Sequence, residues 1–170
     1  MEIKSLLIAN RGEIAIRIIN TAKKLGIETW VIKTSKEPNA AYLSEADKII
    51  DFSEKVDDIP EFLDIDSLIN AIKENSIDAV HPGYGFLAES PYFAGKCEDE
   101  GIIFVGPSAD AIYKMGNKTI AKQLARKHNV PLLEGSLGNV NTVQEAKKIA
   151  NRIGYPVILK AASGGGGRGM

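Results

Sequence analysis

Short, wholly apolar runs alternate with longer striped segments over the first hundred-odd residues. Leu6-Leu7-Ile8-Ala9 is apolar at every position, the pattern of a strand covered on both faces. Gly12 to Leu25 then places Ile14, Ala15, Ile18, Ile19, Ala22 and Leu25 at helical spacing, with Gly26 as the stop. Glu28 to Lys33 predicts a second strand, and Lys48 to Phe52 a weaker third. Asp64 can cap a helix carrying Ile65, Leu68, Ile69 and Ile72 on one face. Asp78-Ala79-Val80 predicts a strand that breaks into His81-Pro82-Gly83-Tyr84-Gly85; Pro91 to Glu100 predicts a helix, and Ile102 to Val105 a strand ended by Gly106-Pro107. This alternation predicts an α/β fold: an open, doubly wound parallel sheet with flanking helices and right-handed crossovers. Ile14, Ile18, Ile19, Val80, Ile103 and Val105 are expected to share its core.

The rhythm changes near residue 107. Ser108 and Asn117 can each cap a helix, the second turning Ile120, Ala121, Leu124 and Ala125 inward. Thr142-Val143-Gln144-Glu145 reads as a capping box before a helix with Val143, Ala146, Ile149 and Ile153 on one face. Pro156-Val157-Ile158-Leu159 predicts a short buried strand that delivers Lys160 to the loop Ala161-Ala162-Ser163-Gly164-Gly165-Gly166-Gly167-Arg168-Gly169. The expected division is into residues 1–113 and 114–170. The second part carries too little apolar surface for a complete domain, so it is expected to be the beginning of one.

Composition adds exclusions. Of 170 residues, 44% are apolar and 25% charged, with a net charge of −1. A balance so close to neutral implies no nucleic-acid or anionic-membrane surface. The single cysteine, Cys97, rules out an internal disulfide framework and fits a reducing cytosol. No apolar run approaches the roughly 18 residues of a membrane span. The expectation is a cytoplasmic protein without nucleic-acid or membrane partners.

Candidate chemistry sits in two places. A lysine at a strand end followed by a glycine-rich loop suits nucleotide phosphates, because glycines let successive N–H groups turn toward an anion. A flexible linker is the other reading of that loop. Gly164-x-Gly166-x-x-Gly169 fits the dinucleotide fingerprint by letter but lacks its following helix and distant acid, and no Gly-Lys-Ser/Thr ending makes it a P-loop. Lys160 is either a phosphate contact or a solvated strand-end residue, and Arg168 either an anion contact or a solubilising charge. Lys118 stands in a helix first turn, where the dipole disfavours a cation. The second place, His81 to Gly85, follows a central strand at the edge where parallel sheets bind ligands; it is equally a proline- and glycine-punctuated turn with a core histidine. No Ser-His-Asp or Cys-His set is legible, and two histidines with one cysteine give no zinc spacing.

Together the motifs resemble biotin carboxylases. Ile8-Ala9-Asn10-Arg11-Gly12-Glu13-Ile14-Ala15 is similar to the opening of that family, and His81-Pro82-Gly83-Tyr84-Gly85-Phe86-Leu87-Ala88-Glu89 to its second signature. Phe104-Val105-Gly106-Pro107, Met115-Gly116-Asn117-Lys118, and Gly154-Tyr155-Pro156-Val157 through Gly169-Met170 follow in the same order. The resemblance implies an N-terminal domain that precedes an ATP-grasp fold, then the start of that fold, within a longer parent. Such enzymes use MgATP to activate bicarbonate and carboxylate biotin on a carrier protein. By position the resemblance makes Lys118 and Lys160 ATP-binding lysines, Gly166 and Gly167 lid-loop contacts to ATP, and Tyr84 and Gly85 the biotin side of the cleft. It places the Mg²⁺ ligands and catalytic residues beyond Met170, so the chain alone is expected to be inactive. It implies a biotin carboxyl carrier protein and a carboxyltransferase as partners and a homo-oligomeric parent. Asn117, where an acid is common, and Tyr42 and Lys48, in place of a usual His and Glu, depart from the pattern. The alternatives are a stand-alone nucleotide-binding or assembly module and another ATP-grasp ligase; the Asn-Arg-Gly-Glu and His-Pro-Gly-Tyr-Gly-Phe-Leu signatures speak against the latter.

Overall fold

The computed structural model describes residues 2–54, 60–136 and 138–160. The chain divides into two compact units, Met1–Ile112 and Tyr113–Met170. In the first, β1 (Ser5–Ile8), α1 (Gly12–Lys24), β2 (Glu28–Lys33), α2 (Ala41–Glu45), β3 (Lys48–Asp51), α3 (Ile65–Glu74), β4 (Ala79–His81), α4 (Pro91–Asp99) and β5 (Ile103–Phe104) follow one another. The strands form one sheet in the order β3-β2-β1-β4-β5, with every neighbouring pair parallel. The α/β reading with an open parallel sheet therefore holds. In β1 at the centre, Leu7 stands opposite Trp30 on one side and Val80 on the other.

Continuous apolar strands work here because helices cover the sheet, so side chains on either face meet hydrocarbon rather than water. Leu7, Ile8, Val31, Ile32, Ala79 and Val80 are fully buried. Ala15, Ile18, Ile19 and Ala22 of α1 form the stripe that joins them, each large side chain contributing roughly 2 kcal/mol through burial. Phe93 of α4 meets Phe104 edge-on, with ring centroids 5.8 Å apart. Of the six expected core residues, Ile18, Ile19 and Val80 are buried, whereas Ile14, Ile103 and Val105 are half-buried at its margin. Leu25 leaves the stripe: it is the residue after the last helical turn and is exposed.

Polar clasps fix the strand starts. The Asp78 carboxylate accepts from the backbone N–H groups of Lys4 and Ser5 at 2.8 and 3.0 Å, and Asp47 accepts from the Thr29 N–H and hydroxyl at 2.8 and 2.6 Å. The Asp64 side chain caps α3 by accepting from Ser67 N–H, as expected. Sequence periodicity missed α2, a single turn whose Tyr42 is buried and donates its hydroxyl to the Ile32 carbonyl at 2.9 Å.

After α5 (Ala109–Gly116), the second unit holds α6 (Lys118–Lys127) and α7 (Val143–Ile153). The predicted apolar face of α6 is only half-buried, and Val143 of α7 is exposed. Thr142 caps α7 through Glu145 N–H at 3.1 Å, but Glu145 reaches back to Asn141 N–H rather than to the cap residue itself. Pro156 to Leu159 is irregular chain, not a buried strand: Ile158 is 72% and Leu159 70% exposed. A strand needs a neighbour for its N–H and C=O groups, and the described residues of this unit contain no other strand.

Candidate functional site

Strand order locates the site. From β1 the chain steps outward to β2 and β3, then returns past β1 to place β4 and β5 on its other side. The β1–β4 boundary is thus a topological switch point, where loops diverge and leave a crevice at the carboxyl ends of the strands. Two segments meet there: Asn10 to Glu13, following β1, and His81 to Gly85, following β4.

Their contact is built on Asn10, which is 2% exposed. Its Nδ2 donates to the Pro82 carbonyl at 2.7 Å and the Tyr84 carbonyl at 2.8 Å, while its Oδ1 accepts from Arg11 N–H at 2.9 Å. Gly83 lies between those carbonyls at φ +65, and a Cβ there would come within 2.6 Å of Asn10 Nδ2. Glycine is required twice over, for the left-handed backbone and for the close approach.

His81 is half-buried, and its Nδ1 accepts from Gly83 N–H at 3.0 Å. Burial holds its imidazole below the ordinary histidine value, so the neutral form with the proton on Nε2 is the one that fits. Tyr84 is 57% exposed and donates its hydroxyl to Glu13 in the first turn of α1. That hydrogen bond, aided by the Glu13 backbone N–H, holds the Glu13 carboxyl below the usual range and pushes the Tyr84 phenol upward. Arg11, beside it, pairs with Glu37. Phe86 opens the 3-10 turn Phe86–Glu89, and its ring lies against Phe62 at 5.4 Å. The result is a loop tied by hydrogen bonds to the end of β1 and the start of α1, with the Tyr84 ring and the Gly85 backbone exposed.

The expected site residues fall in both units. Tyr84 and Gly85 share the switch-point loop. Lys118 is the exposed first residue of α6, whose N-cap Asn117 accepts from Thr119 and Ile120 N–H at 3.0 and 3.1 Å. An asparagine thus satisfies this cap without the acid usual in the resembling family. A polar cleft of about 540 Å³ adjoins it, lined by Asn117, Thr119, Gln123, Asn139 and Asn141 among others. Lys160 is exposed in the irregular chain after α7. Gly166 and Gly167 lie outside the described residues. Among the described residues no group of three His, Cys, Asp or Glu side chains is placed to hold a metal ion.

Asn10 and Glu13 stand in the sequence only as members of the Asn-Arg-Gly-Glu motif, with no expected role of their own. One signal was available: an asparagine set directly against an unbroken apolar strand is a polar group the fold must bury and satisfy.

An open parallel sheet whose loops part at a switch point defines the broad class of doubly wound α/β proteins. Comparison narrows it. The family model for the biotin carboxylase N-terminal domain matches residues 2–112, and that for the carbamoyl-phosphate synthase L chain ATP-binding domain matches residues 117–170. The chain belongs to the biotin carboxylase N-terminal domain family. It is 46% identical over 168 residues to Biotin carboxylase 1 of Bacillus subtilis, which covers 99% of this chain and 37% of that protein. It is 44% identical over 167 residues to the 2-oxoglutarate carboxylase small subunit of Hydrogenobacter thermophilus, covering 98% of this chain and 35% of that one. Among solved structures, the biotin carboxylase domain of the Hydrogenobacter thermophilus 2-oxoglutarate carboxylase, in complex with MgADP, ADP and bicarbonate, superposes with a TM-score of 0.91 at 42% identity, over 99% of this chain and 37% of that one. Biotin carboxylase of Campylobacter jejuni, in a β,γ-ATP complex, gives 0.91 at 44% identity, over 98% and 37%. The chain thus spans little more than a third of the length of these relatives.

Proposed function

We propose that this chain serves as the amino-terminal part of a biotin carboxylase, an ATP-dependent ligase that uses MgATP and bicarbonate to carboxylate biotin on a carrier protein. The observation that carries the reading is the switch-point loop His81–Gly85, clamped by Asn10, in a chain that matches the biotin carboxylase N-terminal domain over residues 2–112. In this reading residues 1–113 are the domain preceding the ATP-grasp fold and 114–170 its beginning, with Lys118, Lys160, Gly166 and Gly167 facing ATP. Tyr84 and Gly85 face biotin. The two lysines fit that task as exposed cations. Phosphoryl transfer is catalysed mainly by holding reactants in line and stabilising charge on the transferred group, which lysines and backbone N–H groups supply. No residue of this chain is assigned to Mg²⁺ or to the base acting on bicarbonate. The partners in this reading are a biotin carboxyl carrier protein and a carboxyltransferase, the assembly is homo-oligomeric, and the compartment is the cytoplasm. No helix among the described residues is long and apolar enough to cross a membrane.

A chimera tests it. The chain replaces the matching 168 residues of the Bacillus subtilis relative, and phosphate release from ATP is followed with and without bicarbonate and free biotin. The expected result is release dependent on both, none from the 170-residue chain alone, and about tenfold weaker ATP binding in the Lys160→Ala chimera, with Lys127→Ala nearly silent. A folded chimera without biotin-dependent turnover refutes the function. Unchanged ATP affinity in Lys160→Ala refutes the lysine assignment.

A further inference from the structure

We propose that Asn10 is the positioning residue of the switch-point site: its buried carboxamide fixes the backbone from Pro82 to Gly85 and thereby the stance of Tyr84. Both hydrogens of Nδ2 are used, on carbonyls one residue to either side of Gly83. Fixing those two oxygens sets the Pro82–Gly83 and Tyr84–Gly85 peptide planes, which bracket Gly83 and Tyr84, so the direction in which Tyr84 leaves the sheet is set as well. The φ of +65 and the 2.6 Å approach to an added Cβ show how closely the loop wraps the carboxamide.

The β1–β4 ladder does not do this work. Its bond from Ala9 N–H to the His81 carbonyl at 3.0 Å reaches only the first residue of the loop. Past that point the loop is held by Asn10, by the bond within it from Gly83 N–H to His81 Nδ1, at its tip by Glu13 on the Tyr84 hydroxyl, and at its far end by Ala88 N–H on the Gly85 carbonyl at 2.8 Å. Asn10 and Glu13 come from one short stretch, so the end of β1 sets the loop after β4. No shorter or charged side chain substitutes. Aspartate fills the same volume but presents oxygen to two carbonyl oxygens, with no N–H to donate. The consequence for ligand binding rests on the reading of Tyr84 and Gly85 as the biotin side; the positioning itself does not.

The test has two arms. In the chain itself, amide exchange and carbonyl ¹³C shifts are measured by NMR for wild type, Asn10→Ala and Asn10→Asp. Exchange at Gly83, whose N–H is bonded to His81 Nδ1, should rise about tenfold or more in both variants, the Pro82 and Tyr84 carbonyl shifts should move, and the Ala9 amide should keep its protection. Asn10→Asp matters most, because a space-filling role tolerates it and a donor role does not. Unchanged loop exchange in Asn10→Asp, or equal loss at Ala9, overturns the proposal. In the second arm the Asn10→Asp chimera is assayed for the KM of free biotin and of ATP. A biotin KM raised fivefold or more with an unchanged ATP KM extends the positioning to the ligand. A loosened loop with an unchanged biotin KM leaves the positioning standing and removes Tyr84 from the biotin side.

Discussion

Replacing Gly83 by alanine tests the site's geometry through stability. Two penalties act. A left-handed backbone disfavours any Cβ by about 1 kcal/mol. The added Cβ also meets Asn10 at 2.6 Å from Nδ2 and 2.9 Å from Cγ, against a side chain held by its own hydrogen bonds. Overpacking of that kind adds about 2 kcal/mol, for a total near 3 kcal/mol. Gly101 is the control: its φ is +70, and nothing lies within 4 Å of an added Cβ, so Gly101→Ala should lose only about 1 kcal/mol. Trp30, the single tryptophan, sits half-buried in β2 and reports on the first unit alone. Its fluorescence in urea should show a midpoint roughly 1 M lower for Gly83→Ala than for Gly101→Ala. In an Asn10→Gly background the excess should vanish, because the two positions are coupled by contact. Equal midpoints for the two alanine variants, or an excess that persists without the Asn10 side chain, would refute the reasoning.

Three further outcomes are expected. Because burial lowers the His81 pKa below 6.5, the folded state binds fewer protons than the unfolded one in that window. The stability contributed by neutral His81 is therefore present above pH 6.5 and lost as pH falls toward its folded value, and His81→Gln should flatten Trp30-monitored stability between pH 7 and 5.5. Asp47 and Asp78, also held below their ordinary value of 3.8, act only at lower pH, where acidification removes their contribution. Tyr42→Phe should lose about 1 kcal/mol in urea unfolding through the bond to the Ile32 carbonyl; no loss would mean that bond contributes nothing net. Cys97 is buried with its thiol pushed up to about 12, so it should resist a disulfide reagent at pH 8 until denaturant is added. Rapid reaction in the native state would show that α4 opens freely.

Periodicity in the sequence was enough to determine the strands and the longer helices of the first unit, for a physical reason. Apolar runs such as Leu6 to Ala9 and stripes such as Ile18, Ile19 and Ala22 are local consequences of burial on both faces of a strand or one face of a helix. Capping is equally local, and Asp64, Ser90, Asn117 and Thr142 each accept from the turn they begin. Residues whose fate depends on distant neighbours were not determined that way. Pro156 to Leu159 has strand composition, yet strand formation needs a partner whose position no local pattern specifies. Ile14, Ile103 and Val105 are apolar on the right faces, but the edge of the packing decides how far they are covered. Tyr42 looks like a surface tyrosine in a polar stretch and becomes buried only because α2 folds back over β2. The site follows the same division. Sequence placed Tyr84 and Gly85 after a strand and marked the glycines, whereas the pairing of Asn10 with Pro82 and Tyr84 spans more than seventy residues. Only the sheet order, which sets β4 beside β1 rather than β3, brings those residues within hydrogen-bond reach.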